Sequence, residues 1–260
     1  MMHAGSGQAL TVLLIVMPLS AATLALLARR IAAGVAIVNA LLTAGAAFVL
    51  LRTTMDGPLR YAIGGWGAPL GIDLYADSMT GFLLLANSII ILSIAVYAPA
   101  YLARTGLRFS FWPMLLFLHA ALNSVYLSAD VFNLYVALEL LSLSAVGLIA
   151  VADKPPALDA ALRYLLASLV ASLAYLLGVA FLYHAQGALD LVALAAAGRE
   201  HPAPAAALGL MVAGLAIKGA LFPVHFWLPR AHSEAPSPVS ALLSGLVVKA
   251  PFVVMLRLWF

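Results

Sequence analysis

The sequence predicts an all-α integral membrane protein of about eight transmembrane helices, and three observations carry that prediction. Of the 260 residues, 65% are hydrophobic and only 9% charged, against about 25% charged in an ordinary soluble domain. Apolar runs of roughly 20 residues recur, the length a helix needs to cross the hydrocarbon core. They lack the alternation, over about ten residues, that marks an outer-membrane barrel strand.

The predicted spans fall at 10–28, 31–51, 74–100, 109–128, 130–152, 158–184, 204–225 and 236–258. Pro18 is expected to kink the first. No Lys or Arg precedes Arg29, so the first run lacks the basic start of a signal peptide and reads as a retained helix. The segment from Arg52 to Asp73 is too rich in Gly, Pro and charge to span. It is an extramembrane excursion with room for a small hairpin, and Tyr61 and Trp66 suit the interface. The segment from Ala185 to His201 is half apolar and too short to cross, which predicts a surface helix between the sixth and seventh spans. Arg163, near the start of the sixth span, reads as an interface anchor, and Asp77 and Asp130 stand at helix starts, where a carboxylate complements the dipole.

Charge excludes some functions. Thirteen basic against ten acidic residues is a small excess, and most of the basic ones flank apolar runs, so nucleic acid is not an expected partner. The absence of cysteine rules out disulfides and thiolate metal sites. Arg29, Arg30, Arg104, Arg108, Lys154, Arg163 and Arg230 fall on one side of the predicted topology, and Arg52, Arg60, Arg199 and Arg257 on the other. The positive-inside rule then places the N-terminus outside a multi-pass cell-membrane protein.

Three charges lie inside apolar runs, where each costs about 2.5–3.5 kcal/mol on insertion scales. Glu139 sits mid-span in DVFNLYVALELLSLSAVGL, with Tyr135 and Ser142 on its face at i−4 and i+3. It is either a structural carboxylate or a proton-accepting one whose affinity follows a neighbouring cation. Lys218 is followed by Gly219 and, five residues on, by Pro223. Pro223 cannot donate to the Gly219 carbonyl, so the helix is predicted to break just past the lysine. Such a break is tolerated only where protein or water satisfies the freed groups; a snorkelling lysine is the alternative. Lys249 lies in LLSGLVVKAPFVV, where Pro251 frees the Val247 carbonyl. A buried lysine changes its proton affinity readily, which makes Lys249 the leading proton-carrier candidate.

Other polar residues carry weaker signals. His119 is a membrane-buried histidine that fits a proton relay or plain packing. His225 and His232 fit a relay at a cytoplasmic mouth. With Glu234 they also have the residue types of a metal site, or of an enzyme acting on lipid, but their spacing fits no regular site. The sequence contains no Gly-rich phosphate loop, nucleophile elbow or haem-ligand pattern.

DVFNLYVALELLSLSAVGL, AIKGALFPVHFWLPRAHSEAPSPVSALLSGLVVK and, more loosely, YAIGGWGAPLGIDLYAD resemble the antiporter-type subunits of respiratory complex I and of Mrp cation/proton antiporters. The likeness is chiefly to the Mrp D subunit, through DVFNLYV and GGWGAPLGI. The resemblance implies a proton-translocating subunit working through Glu139, Lys218 and Lys249 within a large membrane complex in a bacterial inner membrane. Its cargo would be protons, with Na⁺ a candidate counter-cation, and it would hold no redox cofactor. It also implies a division into 1–108 and an antiporter-type bundle at 109–258, whose helices four to eight form one five-helix repeat with a broken helix seven. Family members carry a second inverted repeat, which is expected here on a partner chain or on further sequence. A proton-pumping subunit powered by a redox complex, and a non-conducting assembly subunit, are the alternatives.

Overall fold

The computed structural model describes residues 2–67, 71–105, 110–196 and 202–259. Two helices, α1 (Met2–Leu27) and α2 (Ala32–Thr54), lead into a hairpin of β1 (Leu59–Ala62) and β2 (Asp73–Ala76). There follow α3 (Ser78–Thr105), α4 (Phe111–Leu127), α5 (Val131–Ala150), α6 (Pro155–Gln186) and the short α7 (Leu191–Ala196). The chain continues as α8 (Pro202–Lys218), α9 (Leu228–Glu234), α10 (Ser237–Leu242), a π stretch at Leu243–Val247 and α11 (Lys249–Trp259). Among the described residues six segments are long and apolar enough to cross a membrane, the last being Ser237–Trp259, and Phe111–Leu127 and Ala205–Lys218 are shorter apolar helices. The expected eight helices and the all-α membrane class are therefore present.

Three boundaries differ from expectation. The third span starts at Ser78 rather than 74, because Asp73–Ala76 pairs antiparallel with Leu59–Ala62. In place of a surface helix from 185 to 201, α6 runs on to Gln186 and stops at Gly187, whose φ of 66° is the left-handed cap glycine accepts readily. Only Leu191–Ala196 is then helical, started by the Asp190 carboxylate accepting from the Val192 and Ala193 amides; 197–201 lie outside the described residues. The seventh helix ends at Lys218, not 225. The helix α1 runs through Pro18 without interruption.

The α2–α3, α4–α5 and α6–α7 connections gather on one face. Leu74 bridges Ser128, and Asp130 bridges Asp190. Arg60 clamps them, its Nε 2.6 Å from Asp73 Oδ2 and its Nη2 2.6 Å from Asp190 Oδ2. Burial disfavours the Arg60 charge, but the hydrogen bonds and charges of the two carboxylates outweigh it and raise its pKa. On the opposite face Arg230 reaches Asp159 at 3.8 Å and the Ser237 amide donates to the Tyr101 hydroxyl at 3.4 Å. Arg108 and Arg199 lie outside the described residues. Arg163 pairs with Asp159 one turn away, at 2.8 Å.

Arg60→Ala would leave Asp73 and Asp190, each 6% exposed at the side chain, without their cation. We expect faster protease cleavage within 59–76 in native membranes, with the helical bundle retained. An unchanged digestion pattern would mean that backbone pairing alone holds the hairpin down.

Helices α6 and α8 approach closely because glycine faces backbone on both. A Cβ on Gly214 would sit 2.3 Å from the Ala171 carbonyl oxygen, and one on Gly178 would sit 2.5 Å from that of Ala207. Small residues that let backbones meet are the usual means of helix association in lipid. Here they set the spacing across which Lys218 reaches α6.

Candidate functional site

The site begins where α8 stops. The Leu221 amide donates to the Ala216 carbonyl at 2.9 Å and the Ala220 amide to the Ile217 carbonyl at 3.1 Å, while Ala220 takes a φ of 51°. This pair of bonds is a Schellman cap, with alanine in the left-handed position that glycine usually fills. The expected agent of the break, Pro223, lies beyond the helix in the following turn, after a cis Phe222–Pro223 bond. The helix ends before Pro223 could withhold a bond from it.

Lys218 is therefore the last helical residue, at the dipole end that favours a cation. Its side chain turns inward and is 4% exposed. An ammonium has three N–H donors, and Lys218 Nζ has three acceptors: Glu139 Oε1 at 3.0 Å, Ser142 Oγ at 2.8 Å and Ser168 Oγ at 2.7 Å. The Ser142 hydroxyl proton goes to the Leu138 carbonyl, which leaves its oxygen free to accept. Ser172 donates to Glu139 Oε1. Glu139 itself is 19% exposed, so the carboxylate end of the pair is the more open one. The pair thus joins α5, α6 and the end of α8, with every ammonium proton satisfied.

Ser168 and Ser172 went unnoticed in the sequence. Their one signal was their spacing of four residues, which puts both on a single face of α6. Tyr135, expected beside Glu139, packs against Phe132 with ring centroids 6.0 Å apart.

The structure does not bond Lys249 to this pair. It opens α11 one residue after the π stretch, is exposed, and donates to the Ser244 carbonyl of its own segment. The Val248 amide reaches back five residues to the Leu243 carbonyl at 3.2 Å, a π-type bulge of the kind frequent at functional sites. Pro251 is the third residue of α11, inside the first turn, where a missing N–H costs no helical bond. The two lysine-bearing segments do touch, since a Cβ on Gly219 would lie 3.5 Å from the Val248 carbonyl oxygen.

The histidines separate. His232 Nδ1 is 2.7 Å from Ser240 Oγ and close enough to Lys249 to feel its charge. His225 stacks loosely on Phe222, at 5.8 Å. His119 is fully buried on the other side of the bundle, 3.4 Å from Asn39 on α2 and 3.4 Å from Ser88 on α3. It is not brought to Glu139 or Lys218. Among the described residues no three His, Asp or Glu side chains gather as a metal site, and His225, His232 and Glu234 stay apart in that sense. Asp77 and Asp130 each accept the amide three residues on, from Thr80 and Asn133, both at 2.7 Å.

Residues 128–260 match the family model described as NADH:quinone oxidoreductase/Mrp antiporter, TM. The chain is 37% identical over 262 residues to NADH-quinone oxidoreductase subunit N of Desulforudis audaxviator, covering 96% of this chain and 52% of that one. It is 29% identical over 232 residues to the D subunit of an Na(+)/H(+) antiporter from Alkalihalophilus pseudofirmus, covering 88% and 47%. In three dimensions it is similar to a chain of the Mrp complex from a Dietzia species, with a TM-score of 0.87 and 29% identity over 97% of this chain and 48% of that one. The chain spans about half the length of the curated relatives it matches.

Proposed function

Because this chain belongs to the NADH:quinone oxidoreductase/Mrp antiporter transmembrane family, we propose that it is a proton-translocating membrane subunit of a multi-subunit cation/proton antiporter. One observation carries the reading most. The Lys218 ammonium lies at the end of a broken helix, inside the bundle, against Glu139 and two serine hydroxyls. A lysine so placed is held by its neighbours when charged and loses their support when they move, so its proton can be bound and released by a small displacement.

In this reading a proton reaches the Glu139 side, which is the more exposed end of the pair. Lys218 alternates between bonding Glu139 and passing its proton on. The turn after α8, free of helical bonds, gives that motion room and admits water. Lys249, across the Gly219–Val248 contact, takes the next proton, with His225 and His232 as relay groups along the turn. Residues 109–258 are the conducting unit, and 1–108 its flank. The partners are other membrane subunits and the exchanged ions are protons and Na⁺. The setting is a bacterial inner membrane, with the N-terminus outside.

A second reading keeps the same site but draws energy from a redox partner. The 37% identity to a subunit of an NADH-quinone oxidoreductase favours it. Both readings are tested by transport in membrane vesicles holding the assembled complex with Glu139→Gln or Lys249→Ala. Loss of proton movement at unchanged subunit content is expected of each. Wild-type rates in both variants would sink the mechanism and leave an assembly role.

A further inference from the structure

One buried residue lies outside that scheme although both its ends touch the Lys218 site. Trp227 closes the turn that follows α8, and at 1% exposure it heads the largest fully buried side chains. Its indole N–H donates to the Ile217 carbonyl at 2.9 Å, on the residue immediately before Lys218. The same carbonyl already accepts the Ala220 amide in the helix cap. The indole therefore fastens the far end of the turn to the end of the helix, across ten residues of chain.

The indole face stacks on Tyr164 of α6, with ring centroids 4.1 Å apart and planes within 16°. Tyr164 is 2% exposed, and its hydroxyl lies close enough to Ser142, an acceptor of the Lys218 ammonium, to interact with it. Contacts thus run from Ile217 to Trp227, Tyr164, Ser142 and Lys218, and the peptide bond closes the circuit. One aromatic pair fixes both the backbone beside the lysine and one of its three acceptors.

We propose that Trp227, acting through Tyr164, is the positioning residue of the Lys218 site and couples the turn after α8 to that lysine's proton exchange. This rests on the proton-transfer reading above. The turn cannot rearrange without breaking either the indole bond or the stack, and either change moves Ser142 relative to Lys218. Among the described residues Glu139 on α5 is the charged group acting on Lys218, and Tyr164 on α6 is the other titratable side chain at the site.

The test uses vesicles with the assembled complex, measuring proton-coupled transport across pH per assembled complex. Trp227→Phe keeps an aromatic face on Tyr164 and removes the N–H, while Tyr164→Phe keeps the stack and removes the O–H. Trp227→Phe loses about one net hydrogen bond, so a rate loss of about five-fold is expected of it, with the pH midpoint displaced by about half a unit or more in each variant. For Trp227→Phe the midpoint moves to lower pH, because a lysine less well placed among its acceptors gives up its proton more easily. Unmoved midpoints in both variants, with Lys218→Met inactive, overturn the positioning role and leave the transport reading standing. Wild-type behaviour in all three overturns both. A fall in assembled complex with an unchanged midpoint also overturns it, because Trp227 is then only packing.

Discussion

Lys218→Met is expected to abolish proton-coupled transport while the complex still assembles. Methionine nearly matches lysine in length and is at ease in an apolar interior, so the space is filled and the chemistry removed. The two serines lose a donor each, and Ser142 keeps its bond to the Leu138 carbonyl. Glu139 loses its cation, yet it is 19% exposed and keeps Ser172 as a donor. Stability should therefore fall little. Native gels of the solubilised complex and dissipation of a pH gradient in vesicles separate the two effects. Transport at a large fraction of the wild-type rate would show that protons take another path.

Removing the other partner should instead be costly to the fold. Glu139→Ala leaves an ammonium at 4% exposure with hydroxyls and no counter-charge. Breaking a buried pair from one side typically costs about 3–5 kcal/mol, because an uncompensated charge stays behind. Replacing both partners by uncharged groups of similar shape is often close to neutral. Glu139→Ala should thus unfold at markedly lower temperature than Lys218→Met, and Glu139→Gln/Lys218→Met should recover most of the loss. Thermal unfolding of the four proteins in detergent makes the comparison. Equal costs for the two single variants would mean that the asymmetry in burial has no energetic consequence.

The three intramembrane charges were legible in the sequence because a charge in an apolar run is conspicuous against its background. The hairpin was legible for the opposite reason, as a stretch of Gly, Pro and charge between two such runs. What the sequence hid was the set of groups that satisfy Lys218. Serines are ordinary in membrane helices, and nothing in the α6 run singles out Ser168 and Ser172 until α8 is docked by its glycines. The helix break was predicted at the right lysine by way of the wrong residue. A left-handed alanine carries no mark in the sequence, whereas Pro223 is visible and lies outside the helix. His119 had the same appearance as His225 and His232, since a one-dimensional pattern does not say which side of α4 meets α2 and α3. Lys249 shows the converse: its apolar run promised burial, and the structure leaves it on an exposed face.

The most direct test of the Glu139–Lys218 switch is proton-coupled transport by the assembled complex carrying Glu139→Gln together with Lys218→Met. This protein should be as abundant and nearly as heat-stable as the wild type, and should move no protons at any pH. A complex that assembles with both substitutions and transports at the wild-type rate would contradict the account.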